Sequence, residues 1–225
     1  LGRIRGIKRP ALCALVPSKT GKTVILDIGA NTECKPLFLL QFGIMGSIYA
    51  QKLRGIASPR VALLANGEEE GKGNELVKAS FPLLKDSGLN FIGNVEGKEL
   101  FGGEADVVVT DGFTGNVLIK SSEAVAKLMS DWLKEGLMAN LVTKIGAVLA
   151  KPAFDRLKKE LDPSEIGAAP LLGLNGLVFV GHGRSDAKAV ISAVGAARKA
   201  VSADLLPTIQ SSIETQIANL KKKEN

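Results

Sequence analysis

Aromatic side chains are scarce in this 225-residue chain: Phe, Tyr and Trp together make up 4% of it, against 45% hydrophobic residues overall. The core must therefore be aliphatic, which suits helices packed on a parallel sheet. Cysteine is nearly absent. Cys13 and Cys34 make neither a metal pattern nor a secreted disulfide framework, and point to a reducing, cytosolic setting. No apolar run reaches the roughly 18 residues that a spanning helix needs, and no signal-peptide pattern opens the chain. Leu1 and the loop-like Gly2–Gly6 read as the inside of a longer protein. Also missing are a Gly-x-Ser-x-Gly elbow, a Walker A loop and a Gly-x-Gly-x-x-Gly fingerprint, which argues against a serine hydrolase, a P-loop enzyme and a dinucleotide binder. The clustered Asp residues of a metal- and nicotinamide-dependent decarboxylating dehydrogenase are not found either.

The charge balance is +6 with a pI near 9.3. That is short of a dedicated nucleic-acid binder, and no nucleic-acid partner is expected. Such a field favours acidic partners: a phosphate, a protein or a lipid surface. Lys221–Lys223 reads as a solvated tail.

Short apolar runs alternate with amphipathic segments, the pattern of an α/β fold. Strands are expected at Thr23–Ile28, Arg60–Ala65, Asn90–Ile92, Ala105–Thr110 and Leu177–Val180. Helices are expected at Pro36–Arg54, Asn74–Lys85, Asn116–Lys134, Met138–Glu160 and from Ser185 to about Leu220. Each strand runs into a loop bearing Gly, Asn or Asp, and several such loops at one sheet edge would make one site. The whole reads as a single α/β domain over residues 1–225, with a helical insertion at about 137–161. There the apolar positions Leu137, Met138, Leu141, Val142, Ile145, Val148 and Leu149 follow helical spacing beside Lys144, Lys151, Lys158 and Lys159. This face packs on the body or on a second subunit, or it meets an anionic membrane.

The densest chemistry lies between Glu104 and Lys120. A buried strand, Val107–Val109, runs into a turn holding Thr110, Asp111, Gly112, Thr114, Gly115 and Asn116, with a helix opening at or near Asn116. Helix amides at a strand's carboxyl end attract anions, so an anion is expected at residues 110–116. The loop Asn66–Glu75 offers Lys72 between Gly71 and Gly73, with Asn74 or Glu75 to start a helix. It is either a phosphate cradle or a solvent-exposed acidic turn. His182, the only histidine, sits in Gly181-His-Gly-Arg-Ser-Asp186 and is either a functional group or an exposed one, with Ser185 or Asp186 capping the next helix.

Asp106-Val-Val-Val-Thr-Asp-Gly-Phe-Thr-Gly-Asn-Val-Leu-Ile-Lys120 resembles the signature of the acyl-acyl-carrier-protein:phosphate acyltransferases of phospholipid synthesis, the PlsX family. Leu26–Asn31, Met45-Gly-Ser47, Ser58-Pro-Arg60, Lys72–Glu75, Phe91–Glu96, Leu171-Leu-Gly173 and His182–Asp186 follow in the family's order, so the resemblance covers nearly the whole chain. Two features depart from it. The family's N-terminal Gly-Gly-Asp and Ser-Ala-Gly-Asn-Thr-Gly motifs are not in this sequence, and Glu165–Pro170 stands where Tyr-Gly-Gly-Ala is common.

The resemblance implies a Rossmann-like α/β/α sandwich with a mostly parallel sheet, a protruding helical hairpin and part of the family fold missing. It implies transfer of a fatty acyl group from acyl carrier protein to inorganic phosphate, without a cofactor or metal. The implied assembly is a homodimer attached peripherally to the cytoplasmic face of the membrane. Taken with the loop spacing, it gives Lys72 the phosphate, Asn116 the carbonyl oxygen or phosphate, Asp111 the orientation of Lys72 or a water, and His182 a proton for the leaving thiol. Asn31, Asn74, Gly112, Thr114, Gly115 and Ser185 would bind substrate. The rival readings are a phosphate acetyl- or butyryltransferase using coenzyme A, and an inactive fragment that dimerises or binds membrane.

Overall fold

The computed structural model describes residues 1–161, 167–181, 183 and 185–223. Its centre is a seven-stranded sheet made of β1 (Ala11–Ser18), β2 (Gly21–Leu26), β3 (Val61–Leu64), β4 (Phe91–Val95), β5 (Val107–Val109), β6 (Ala168–Leu172) and β7 (Phe179–Gly181). The order across the sheet is β4-β3-β5-β2-β1-β6-β7. β4, β3, β5 and β2 pair in parallel, while β2–β1, β1–β6 and β6–β7 pair antiparallel. So β2 to β6 all run one way, and β1 and β7 run the other.

The helices are α1 (Pro36–Arg54), α2 (Glu75–Lys85), α3 (Gly97–Gly102), α4 (Gly112–Met138), α5 (Leu141–Leu149), α6 (Lys151–Leu161), α7 (Ala187–Ser202) and α8 (Leu205–Lys223). Alternation along the central strands divides the core in two. Val24, Leu26, Val61, Leu63, Val107 and Val109 pack with Leu39, Phe42 and Met45 of α1. Ile25, Ala62 and Val108 pack on the other face with Val95 and Leu100, backed by Leu118 and Ile119 of α4. Both faces of β5 are thus covered, which is why it can read Val-Val-Val with no polar residue. Each such valine contributes roughly 1.5–3 kcal/mol relative to exposure. The expected α/β layering holds.

Two strands escaped the sequence reading, and each contains a proline. β1 (Ala-Leu-Cys-Ala-Leu-Val-Pro-Ser) is poor in strand formers and was assigned no element from the sequence. It becomes a strand because the turn at Lys19–Thr20, closed by Gly21 at φ +126°, folds it onto β2. β6 carries Pro170, which removes a ladder donor; Leu171 N–H supplies the next bond, to Val178 O. α3 spans six residues, too few to show a period.

Helix boundaries also differ from expectation. α4 opens at Gly112 rather than near Asn116, because the Asp111 side chain caps it. The expected helix 138–160 is two helices: a reciprocal cap between Asn140 and Thr143 starts α5, and Ala150 ends it. The last long helix breaks at Ala203–Asp204, where Asp204 takes φ 51°.

At its 27 residues α4 is about 40 Å long. Among its described residues only Gly112 and Gly115 are buried, and α5 buries none. Its later turns, with α5 and α6, form an arm that leaves Trp132 61% and Leu141 74% exposed. Among the described residues no helix is long and apolar enough to cross a membrane.

Candidate active site at the carboxyl edge of the parallel strands

Parallel strands deliver their following loops to one edge. Here these are residues 27–31 after β2, 110–112 after β5, 66–74 after β3 and 96 after β4. β2 and β5 are neighbours, and so are β5 and β3, which puts three loops side by side.

The first loop is organised by Asp27, which is fully buried. One carboxylate oxygen accepts from the backbone N–H groups of Leu12 (3.0 Å), Gly29 (3.2 Å) and Ala30 (3.0 Å). The other accepts from Asn31 N–H at 2.7 Å and the Asn31 side-chain amide at 2.8 Å. Five N–H donors on one carboxylate offset the cost of burying it. The second Asn31 amide hydrogen goes to Pro10 O at 2.7 Å. Asn31 was expected to bind substrate, but both of its amide hydrogens are spent inside the protein. Asp27 was missed as a site residue, and only its place at a strand end beside Gly29 could have marked it.

The second loop docks on the first. Gly112 N–H donates to Asn31 O at 2.7 Å. A Cβ on Gly112 would lie 2.6 Å from Asn31 O, and one on Gly115 would lie 1.9 Å from Asp27 O. Two glycines therefore let the first turn of α4 press directly on the backbone of the β2 loop. Asp111 caps that turn: its Oδ1 accepts from Thr114 N–H (2.9 Å) and its Oδ2 from the Thr114 hydroxyl (2.7 Å). With both oxygens committed to Thr114, Asp111 fixes the turn, and no bond joins it to Lys72 among the described residues. Asn116 stands one turn into the helix and donates its side-chain amide to Ile28 O at 3.0 Å. One N–H and the Oδ1 of Asn116 have no partner among the described residues. Among the first amides of α4, Gly112, Thr114 and Gly115 are bonded, and the Phe113 N–H has no partner among the described residues.

The third loop is held by its own amides. Gly73 N–H donates to the Asn66 side chain (2.9 Å), Lys72 N–H to Glu69 O (2.9 Å), and the Asn94 side chain to Glu69 O (2.9 Å). The expected amide cradle is thus largely closed on itself. Asn74 caps α2 by accepting from Val77 N–H at 3.0 Å. Lys72 is exposed and makes no ion pair among the described residues, whereas nearby Lys98 is shared among Glu68, Glu96 and Glu99. Asn66, which follows β3, and Asn94, near the end of β4, were not named as site residues from the sequence.

The fourth expected part, around His182, is described only at its ends. His182 lies outside the described residues, as do Arg184 and the Glu165–Ile166 part of the atypical loop. The strand before His182 is described. β6 pairs its Leu172 end with Ala11, close to the Asp27 loop, and β7 pairs Gly181 with Ala168 at the other end of β6. Gly181 therefore ends at the opposite sheet edge. Ser185, which follows it, precedes Asp186, the cap of α7 that accepts from Ala189 N–H at 2.8 Å.

One nucleophile borders the site. Cys34 donates to Asn31 O at 3.6 Å. Burial pushes its thiol up to about 11, and the nearby Asp27 and Asp111 charges add to the rise; a Gly112 backbone hydrogen bond and Arg9 oppose it. A thiol held protonated is no acyl acceptor at neutral pH. Cys13 is wholly buried and raised further for the same first reason. The site offers positioned amides and a cation with no ion pair among the described residues, rather than a covalent nucleophile.

Residues 1–207 match the profile of the family described as fatty acid synthesis protein. The chain is 52% identical over 215 residues to a phosphate acyltransferase of Pelotomaculum thermopropionicum, covering 96% of this chain and 63% of that protein. It is 51% identical over 213 residues to a phosphate acyltransferase of Elusimicrobium minutum, covering 95% and 62%. The chain thus spans a little over three fifths of the length of the curated relatives it matches. Among solved structures, the EutD phosphotransacetylase from Staphylococcus aureus aligns with a TM-score of 0.44 and 15% identity, over 56% of this chain and 44% of that one.

Proposed function

The chain belongs to the fatty acid synthesis protein family, the PlsX family of phosphate acyltransferases, and from that premise we propose that it transfers a fatty acyl group from acyl carrier protein to inorganic phosphate. The observation that carries this reading is the α4 amino end pressed onto the Asp27–Asn31 loop, beside the next loop with Lys72, which has no ion pair among the described residues. An open amide, an amide side chain and an unpaired cation at one sheet edge suit a dianion and a developing oxyanion.

A phosphate oxygen attacks the thioester carbonyl carbon, and the tetrahedral oxyanion collapses with cleavage of the C–S bond. Acyl phosphate and the carrier thiolate result, and the thiolate takes up a proton. Phosphate is nucleophilic without a base, and a thiolate with a pKa near 8.5 is a good leaving group, so positioning and charge stabilisation dominate. Lys72 holds the phosphate and offsets its repulsion from the oxyanion. The free N–H of Asn116 and the Phe113 amide serve the carbonyl oxygen or the phosphate. Asp111, Thr114, Gly112, Gly115 and Asn31 keep the turn in shape, and Asn74 positions the Lys72 loop. His182 and Ser185 take no part in this scheme, because Gly181 before them ends at the opposite sheet edge, and the thiolate takes its proton from solvent. Protonated Cys34 supports direct transfer over an acyl-enzyme.

The exposed apolar residues of α4 and α5 support a homodimer whose arms pair, with the remaining apolar face and Lys144 set on the anionic cytoplasmic face of the membrane.

The test is to incubate the chain with acyl carrier thioester and phosphate and trap the product with hydroxylamine. Acyl hydroxamate should form in proportion to phosphate. Faster turnover with acyl-coenzyme A than with the carrier at equal concentration would overturn the choice of donor in favour of a coenzyme A-dependent phosphate acyltransferase.

A further inference from the structure

An open cleft of about 470 Å³ lies between the amino-terminal loop and the first turn of α1, lined by Arg3, Lys8, Arg9, Lys35, Leu37 and Phe38. It contains four cations and no acidic residue. Elsewhere the described cations are often paired, as in Arg60–Asp106, Lys98 with three glutamates, and Lys127–Asp131. None of the four in the cleft has an ion pair among the described residues; Arg3 is held by a hydrogen bond to Lys8 O.

The cleft is a built feature. Gln41, buried beneath it, accepts from Lys8 N–H at 2.8 Å and donates to Gly6 O at 2.9 Å, which fixes the loop against α1. Pro10, next to Arg9, accepts from Asn31. Asn31 O in turn accepts from Gly112 N–H, so the cleft opens beside the turn described above.

We propose that this cleft docks an acidic helix face of the carrier protein that brings the acyl thioester, at the entrance to the phosphate-binding turn. The inference rests on the functional reading above and adds the place of docking to it. Two features select a protein surface. All four cations are exposed, as at the rim of a protein interface, where charges steer encounter; a small-anion site would bury converging donors. Leu37 and Phe38 are half-buried and supply apolar floor for a partner side chain.

Binding of purified acyl carrier to the 225-residue chain, followed by fluorescence anisotropy, tests this without requiring turnover. The double variant Arg9→Glu/Lys35→Glu should weaken binding at least about tenfold, mainly through slower association, and should flatten its salt dependence. Lys52→Glu, at the other end of α1, should bind as wild type, and the thermal midpoints of all three should agree. Equal binding by wild type and the double variant overturns the docking site and leaves the acyl-transfer reading standing. A wild-type chain that binds no carrier overturns the docking site, and lack of acyl phosphate from carrier thioester would overturn the acyl-transfer reading separately. The proposal also falls if the double variant loses binding of inorganic phosphate or of anionic lipid vesicles while keeping the carrier, or if Lys52→Glu weakens the carrier equally.

Discussion

The Asn116 side-chain amide donates to the Ile28 carbonyl at 3.0 Å across 88 residues of sequence, tying the second turn of α4 to the loop that follows β2. The same amide keeps one N–H without a partner among the described residues, so in the proposed reaction Asn116 joins the scaffold to the chemistry. Asn116→Ala should cost about 1 kcal/mol of stability through the lost bond, and acyl-phosphate formation should fall by about 10²-fold. Exposed Lys72→Ala should leave the thermal midpoint nearly unchanged while raising the KM for phosphate. Wild-type phosphate saturation in the Lys72 variant would remove Lys72 from the site.

Gly115→Ala places a methyl group where only 1.9 Å separates it from the Asp27 carbonyl oxygen. Helix propensity alone would make this change stabilising. The clash should dominate and destabilise the protein by about 1–3 kcal/mol, read as a lower midpoint in urea. An unchanged midpoint would mean that α4 does not lie as close to β2 as described.

Cys34 should resist alkylation at pH 7.5 and react progressively faster as the pH approaches about 11. Stability follows with a definite sign. Between its ordinary value of 9.0 and about 11 the unfolded thiol ionises while the folded one keeps its proton. Folding stability therefore falls as pH rises through that window. Cys34→Ala should flatten this part of the profile; a slope unchanged by the substitution would refute it.

The arm yields an assembly prediction. Leu141→Asp with Leu149→Asp places charge on two residues that are 74% and 79% exposed, so the fold should survive with an unchanged circular dichroism spectrum. Sedimentation should shift from dimer to monomer, and flotation with anionic vesicles should weaken. If neither changes, this face serves neither contact.

What was legible in the sequence was the half of the sheet that repeats strand, loop and helix. Val107–Val109 could only be a strand covered on both faces, and the boundaries of α1 agree with the expected Pro36–Arg54. The antiparallel half was not legible, because β1 and β6 each carry a proline and depend on partners distant in sequence: β1 pairs with β6 across about 160 residues. For the same reason the loop after β7 could not be assigned to a sheet edge. Its side depends on the two unseen strands, and they turn Gly181 away from the turn at Asp111. Asn31, Asp111 and Asn74 were correctly placed at strand ends and helix starts. Their spacing could not tell a ligand donor from a cap, since Asn and Asp serve both roles through the same short side chain.

The bond from Leu12 N–H to Asp27 gives the amino-terminal strand a role that its distance from the chemistry conceals. Each functional group so far placed at the turn comes from the parallel half, yet the carboxylate beneath it is held partly from β1. A segment running from residue 19 to 138 would contain Lys72, Asp111 and Asn116 and still leave Asp27 short of a donor. The hairpin is thus the clamp of the site, and the proposed phosphate turn rests on a strand that lends it no reacting group.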